Sequence, residues 1–282
     1  MDRATRARLE QELGTGISAV RSLGGQHGVA HFRLRLSTGP AAFAKVGRGF
    51  ATEASGLRWL ADAGAAVPAV LAVAEDFLVI DWIETSAPEA RAALCFGKEL
   101  AAVHAAGAEA FGAPWPGEIA GLPLPNGPAP PGRGWAQWYA EARVLPYVRL
   151  ARDRGALTTA EAGLVEAAAG HAVRVAGPAE PPARIHGDCW SGNVLWSGGR
   201  GWLIDPAAHG GHRETDLAML ALFGAPYLDR ILAGYQEAAP LAEGWRGRVP
   251  LHQLHPLLVH VCLFGAAYRD AALAAASAVL TV

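Results

Sequence analysis

His186-Gly187-Asp188, Asn193 and Asp205 are the residues of this chain best suited to chemistry, and their spacing indicates which chemistry. Asn193 stands five positions after Asp188. Two apolar runs follow, Val194-Leu195-Trp196 and Trp202-Leu203-Ile204, with Ser197-Gly198-Gly199-Arg200-Gly201 between them. β-Branched and aromatic residues around a Gly-rich turn predict a β-hairpin. Asn193 precedes its first strand and Asp205 follows its second. The open ends of a hairpin lie about 4.5–5.5 Å apart at Cα, so these two side chains should face one another, with Asp188 on the loop leading in. Two carboxylates and an amide oxygen gathered in this way form a hard-oxygen site, the kind Mg²⁺ prefers. With Asp188 taking the proton of an attacking hydroxyl and Asn193 and Asp205 on the metal, the pattern is that of phosphoryl transfer. An isolated His-Gly-Asp is ordinarily a surface turn. The register with Asn193, the hairpin and Asp205 sets this one apart.

Such a site needs a cation for the phosphates, and the first part of the chain offers one. After an N-terminal helix, residues 17–23 and 29–36 read as a strand pair. Phe32, Leu34 and Leu36 share one face of the second, and His31, Arg33 and Arg35 the other. Between them Gly24-Gly25-Gln26-His27-Gly28 forms a turn whose backbone N–H groups could approach phosphate. Strand 41–46 carries Lys45 among apolar residues. A helix over 51–63 follows, with Leu57, Leu60 and Ala61 on its inward stripe. Glu53, four positions before Leu57, falls on the same stripe. A buried carboxylate needs a partner, and Lys45 is the natural one. Residues 70–74 and 77–80 complete the strands, and the segment from Asp81 through Ile83 to Glu84 follows.

The motifs carry a resemblance. His186-Gly187-Asp188-Cys189-Trp190-Ser191-Gly192-Asn193, then Ile204-Asp205-Pro206 and Gly211-His212-Arg213-Glu214 before Asp216-Leu217-Ala218-Met219, are similar to the fructosamine/ketosamine kinase family. That family belongs to the aminoglycoside phosphotransferase-like branch of the protein-kinase-like fold. The likeness extends over nearly the whole chain. It implies an α+β, bilobal fold: a small N-terminal antiparallel β lobe with one helix (1–84) and a larger, mainly helical lobe (85–282). It implies that Gly24 and Gly25 let the loop approach the nucleotide and that Lys45, held by Glu53, grips the α- and β-phosphates. The segment with Asp81 and Ile83 would meet the adenine edge. It gives Asp188 the role of base, Asn193 and Asp205 that of Mg²⁺ ligands, and Trp190 a place against the sugar or its amine. His186 and Asp216 support the catalytic loop, Asp216 also capping the helix 217–223. Cys189 departs from the family, whose members mostly carry Leu there; the expected behaviour is that of a small buried hydrophobe.

The remaining segments frame the site. A helix over 88–106 ends in Leu100-Ala101-x-x-His104, and His104 is expected to bond the catalytic segment. Residues 112–134 are rich in Pro and Gly, yet Trp115, Ile119, Leu122 and Leu124 interrupt them, which predicts a long ordered loop rather than a linker. A helical region runs from Trp135 to about 154, its aromatic stripe chiefly for packing. Another spans 158–175 with Thr159 as cap, and further helices cover about 227–237 and 251–264. His209, His212, His252, His255 and His260 lack the spacing of a zinc site.

Composition narrows the class. The chain has 282 residues, 51% hydrophobic, with a net charge of −2 and a pI near 6.6, which makes nucleic acid and anionic membranes poor partners. Residues 249–268 lack Asp and Glu and have no Lys or Arg before 269, but four polar side chains and two prolines fit a buried helix better than a bilayer span. The N-terminus has no apolar signal region. Three cysteines without a C-x-x-C fit a reducing, cytoplasmic setting. The resemblance implies ATP- and Mg²⁺-dependent phosphorylation of a sugar hydroxyl (O3) on a small or protein-bound ketosamine such as a fructosamine or ribulosamine, and a monomer is expected. The alternatives are a kinase for an aminoglycoside, choline or homoserine hydroxyl, and a non-catalytic nucleotide-binding scaffold.

Overall fold

The computed structural model describes residues 1–26 and 28–281. His27, in the 24–28 turn, lies outside the described residues. Helix α1 (Arg3–Leu13) is capped by the Asp2 carboxylate, which accepts from Thr5 N–H at 2.8 Å. A five-stranded antiparallel sheet follows, formed by β1 (Ile17–Gln26), β2 (Val29–Leu36), β3 (Ala41–Val46), β4 (Val70–Val73) and β5 (Phe77–Asp81), in the order β1-β2-β3-β5-β4. Period-two alternation sorts its side chains. Ala42, Ala44, Phe77 and Val79 pack on one face with Leu9 of α1. Leu78 and Ile80 pack on the other with Phe50, Ala54, Leu57 and Leu60 of α2 (Phe50–Asp62). Lys45 lies opposite Leu78 in the ladder, so the pleat turns it toward α2. On α2, Leu57 and Leu60 are buried as expected, whereas Ala61 is exposed. The burial stripe passes through Ala54, Gly56 and Leu57 instead.

The second part is mainly helical: α3 (Ala90–Ala105), α4 (Trp135–Tyr139), α5 (Leu145–Asp153), α6 (Thr159–Val175), α7 (Glu214–Leu222), α8 (Leu228–Ala238), α9 (Trp245–Phe264) and α10 (Ala266–Thr281). The cap of α6 is Thr158 and not Thr159. Its hydroxyl accepts Glu161 N–H and the Glu161 carboxylate accepts Thr158 N–H, a reciprocal capping box. The 112–134 segment is ordered as expected and adds a hairpin, β6 (Gly117–Ile119) with β7 (Leu122–Leu124). Three further pieces carry the motifs: β8 (Ala183–Ile185), paired with β11 (His209–Gly211), and the hairpin β9 (Val194–Ser197) with β10 (Arg200–Leu203). Arg200 and Gly201 belong to β10, so the turn is only Gly198-Gly199, with φ of 57° and 73°. A two-residue turn with both φ positive suits glycine, and its twist matches that of the strands.

Two prolines inside helices show how local chemistry is repaired. Pro256 removes the N–H that would reach the His252 carbonyl. The Tyr139 hydroxyl donates to that carbonyl at 3.2 Å and to that of Leu251 at 2.9 Å, and accepts His255 N–H at 3.1 Å. Helix α9 begins at Trp245, six residues before the expected start, and runs through Pro250 as well. Likewise Pro146 cannot donate to Ala142. A single π turn, residues 140–144, joins α4 to α5, and the Arg143 guanidinium takes the Ala142 carbonyl at 3.2 Å.

The histidines expected to lack metal-binding spacing are mostly packed in the core. Trp135 stacks on His252, with centroids 4.6 Å apart, and lies 4.9 Å from His212. Glu214 takes a bidentate bond from buried Arg248 at 2.6 and 2.9 Å. Burial alone would raise the Glu214 pKa, but the nearby His252 ring and the bonds from Arg248 outweigh it and hold it at about 2. Burial, then neighbouring His252, lowers His212 to about 3. Both shifts have the same sign for stability. The unfolded chain binds the extra proton at His212 from about pH 6.5 down to 3 and at Glu214 from about 4.5 down to 2, so stability is lost on acidification across those ranges. His212→Asn is therefore expected to lose less of its thermal midpoint between pH 7 and pH 4 than the wild type does; an equal loss in both would contradict this reading.

Candidate active site

The hairpin and the loop before it position the acidic groups. Ile204 N–H donates to the Asn193 carbonyl at 3.0 Å, which extends the β9–β10 ladder by one pair and leaves Asp205 just beyond its end. Asp205 has a φ of 53° and precedes Pro206, a strained combination for a non-glycine residue. His186 ties the two chemical segments together. Its ring Nε2–H donates to the Ile204 carbonyl at 2.9 Å, and its Nδ1 accepts Asp188 N–H at 3.3 Å. Burial lowers its pKa, which keeps the neutral ring this bonding requires.

Asp216 holds the loop from below. One oxygen accepts His186 N–H at 2.7 Å and the other Gly187 N–H at 3.0 Å. The first oxygen also bonds His104 Nε2 at 3.1 Å, and His104 Nδ1 bonds the Tyr235 hydroxyl at 2.8 Å. His104 thus acts on the loop through Asp216. The expectation that Asp216 caps a helix is corrected: α7 starts at Glu214, and the carboxylate, 0% exposed, is directed to the loop. Gly187 has a φ of 80°, and a Cβ there would overlap the Ala207 carbonyl oxygen. Gly187→Ala is expected to displace the loop and remove most activity in any turnover assay while the protein stays folded by circular dichroism; an active variant would show that the loop tolerates the shift.

Four side chains converge on one cleft of about 760 Å³ between the lobes: Lys45, Asp188, Asn193 and Asp205 all line it. Lys45 Nζ donates to both Glu53 oxygens at 2.8 and 2.9 Å and to Asp205 Oδ1 at 2.7 Å. Burial would lower the Lys45 pKa, but the two carboxylates outweigh it and the net direction is up. Glu53 is pushed up, chiefly by burial, with Asp205 contributing. Asn193 Nδ2 donates to the Asp188 carbonyl and to its Oδ2, both at 2.9 Å. Burial raises the Asp188 carboxyl to about 7, against the opposing bond from Asn193. That value suits a group that must take a proton near neutral pH.

The other predicted positions divide. Trp190 lines the cleft, 38% exposed. Its indole folds over Gly192, where any Cβ would overlap the ring, and its edge meets Phe223 at 5.9 Å. Gly24, Gly25, Asp81 and Ile83 are not in the cleft wall; Gly28, Val29 and His31 take that place in the first hairpin. The Asp81 carboxylate instead accepts Ala69 N–H at 3.1 Å, pinning β5 to the approach of β4. Cys189 is fully buried, and burial holds its thiol pKa well up. Sequence reading missed one wall of the cleft, formed by Val259, His260, Leu263 and Phe264 on α9, and also Glu118 on the β6–β7 hairpin. The i, i+1, i+4, i+5 spacing of the α9 residues was a usable signal.

Two lobes, a lysine held by a helix carboxylate, and an Asp-Asn-Asp set at a hairpin mouth define a protein-kinase-like phosphotransferase. The fold agrees with solved structures: a ternary complex of an aminoglycoside phosphotransferase superposes with a TM-score of 0.69 over 99% of this chain and 98% of that one at 16% identity. The chain belongs to the fructosamine kinase family, whose model matches residues 8–281. A candidate fructosamine-3-kinase of Thermobifida fusca, known by crystal structure, is 49% identical with a TM-score of 0.96 and full coverage of both chains. A probable ketoamine kinase of Thermus thermophilus is 36% identical over 229 residues, 81% of this chain and 82% of that one. Its counterpart in Escherichia coli K12 is 33% identical over 224 residues, 77% and 76% of the two chains. Among the described residues no helix is long and apolar enough to cross a membrane.

Proposed function

We propose that this kinase transfers the γ-phosphoryl group of ATP to the O3 hydroxyl of a ketosamine, a fructosamine or ribulosamine. The observation that carries this reading is the meeting of Asp188, Asn193, Asp205 and Lys45 on one cleft beside Trp190. Asp188 orients the sugar hydroxyl and takes its proton. Lys45, steadied by Glu53, exchanges its bond to Asp205 for oxygens of the α- and β-phosphates. Backbone at Gly28 and Val29, which line the cleft, approaches the nucleotide in place of the expected Gly24 and Gly25. The residues fit Mg²⁺. Asp205 is 41% exposed by side chain and faces the cleft, and Asn193, its Nδ2 spent on Asp188, has a carboxamide oxygen that bonds to none of the described residues. When bound there, Mg²⁺ neutralises charge on the β- and γ-phosphates. The indole of Trp190 offers a face to the sugar or to its cationic amine. The chain's contribution is positioning and charge placement, with no protein nucleophile.

The test is phosphorus NMR of products from a panel of acceptors with ATP: fructosyl- and ribulosyl-lysine, an aminoglycoside, choline and homoserine. A sugar O3 phosphomonoester on the ketosamines is expected. Turnover of the amino alcohols alone would move the chain to another acceptor class, and no turnover of any acceptor despite ATP binding would favour the scaffold reading.

A further inference from the structure

Arg143 presents an unbalanced charge. It is 1% exposed, and its guanidinium meets only neutral groups: the carbonyls of Pro125 and Ala142, the Asn126 Oδ1 at 2.8 Å, and the face of Trp138 at 4.4 Å. Among the described residues no carboxylate pairs with it, and its Nε has no hydrogen-bond partner. Burial lowers its pKa to about 9, which still leaves it a cation at neutral pH. His255, 5% exposed, has an equally unpartnered Nε2. Both side chains line a small internal cavity of about 10 Å³, together with Trp138, His209 and Gly187. His209 commits its Nδ1 to the Ala207 carbonyl at 2.8 Å. Burial, then Arg143, drives the pKa of both histidines well down, so neither adds a charge.

We propose that this cavity binds a single monatomic anion, chloride in solution, between Arg143 Nε–H and His255 Nε2–H. A fully buried charge without a counter-charge is costly, and the unpartnered Arg143 Nε–H, together with a His255 Nε2–H in the tautomer that carries the proton there, is unfavourable as well. One halide answers all three. A water would satisfy the donors but would leave the charge uncompensated. The small volume excludes carboxylates, phosphate and sulfate and is nearest the size of a single atom; seating a halide requires a small outward movement of the wall. Because Gly187 forms part of the wall, the ion adjoins the loop that carries Asp188. Arg143 is held by Pro125 and Asn126, so the ion also secures the segment leading from the β6–β7 hairpin.

The direct experiment is diffraction from wild-type crystals in bromide at the bromine absorption edge. An anomalous peak in contact with Arg143 and His255 is expected; water density or an empty cavity without that peak overturns the proposal. In solution, thermal unfolding is compared in chloride and in gluconate, which is too large to enter, at equal ionic strength. With chloride about tenfold above its dissociation constant the midpoint should rise by roughly 2–4 °C. His255→Phe, which keeps a ring against Tyr147, should abolish that increment. An increment absent from the wild type, or undiminished in His255→Phe, counts against the ion, and the bromide measurement decides the matter if the variant does not fold.

Discussion

Asp188→Asn is expected to lower kcat by about 10²–10⁴-fold, the range for loss of a general base, with nucleotide affinity within a few-fold of wild type. The substitution keeps an oxygen for the Asn193 Nδ2–H, which reaches Asp188 Oδ2 at 2.9 Å, so the hairpin mouth should remain in place. Asp188→Ala should lose turnover to a similar degree, again sparing ATP binding, because the charges facing the nucleotide come from other residues. Steady-state rates and calorimetric titration of the nucleotide check both halves. If either variant turned over at the wild-type rate, Asp188 would not be the base. A parallel loss of nucleotide binding would instead place Asp188 among the phosphate or metal contacts.

Lys45→Met should have the next largest effect, a fall of about 10²–10³-fold in kcat/KM, by analogy with removing one preorganised donor to a developing charge. Nucleotide affinity should fall with it, unlike the Asp188 variants. The change also leaves Glu53 and Asp205 near one another without their shared cation. Removing one partner of a buried pair is destabilising, although Glu53, already pushed up by burial, relieves part of this by taking a proton. Glu53→Gln should cost less than Lys45→Met, because Asp205 still holds the lysine at 2.7 Å. Nucleotide titration with all three proteins orders them. Equal affinity in Lys45→Met and wild type would remove the lysine from the phosphate site.

The core of this arrangement was legible because it rests on short-range rules. The β9–β10 hairpin follows from two apolar runs and a Gly-Gly turn, and it alone sets Asn193 near Asp205. Lys45 and Glu53 were legible for a different reason: each is a charged residue on an apolar face, and burial forces such groups into pairs. What escaped the sequence depends on tertiary contact. Pro250 set the expected start of α9 too late, whereas the helix runs through it from Trp245; at Pro256 the Tyr139 hydroxyl that repairs the helix comes from a distant segment. The α9 wall of the cleft went unnoticed with it. Asp216 has the composition of a cap, yet the free N–H groups of His186 and Gly187 claim it. Gly24, Gly25, Asp81 and Ile83 came from the order of elements along the chain, which fixes a neighbourhood but not which residues face the cleft. Two glycines in β1 stand back from it while Gly28 and Val29 line it.

The most direct test is a crystal structure of the ternary complex with a non-hydrolysable ATP analogue, Mg²⁺ and fructosyl- or ribulosyl-lysine. Asp188 should lie within about 2.6–3.2 Å of the sugar O3 hydroxyl, with Lys45 moved from Asp205 onto the phosphates and Trp190 against the sugar or its amine. A ketosamine bound elsewhere, or a nucleotide whose γ-phosphate lies away from the hairpin mouth while Lys45 keeps its bond to Asp205, would contradict the account.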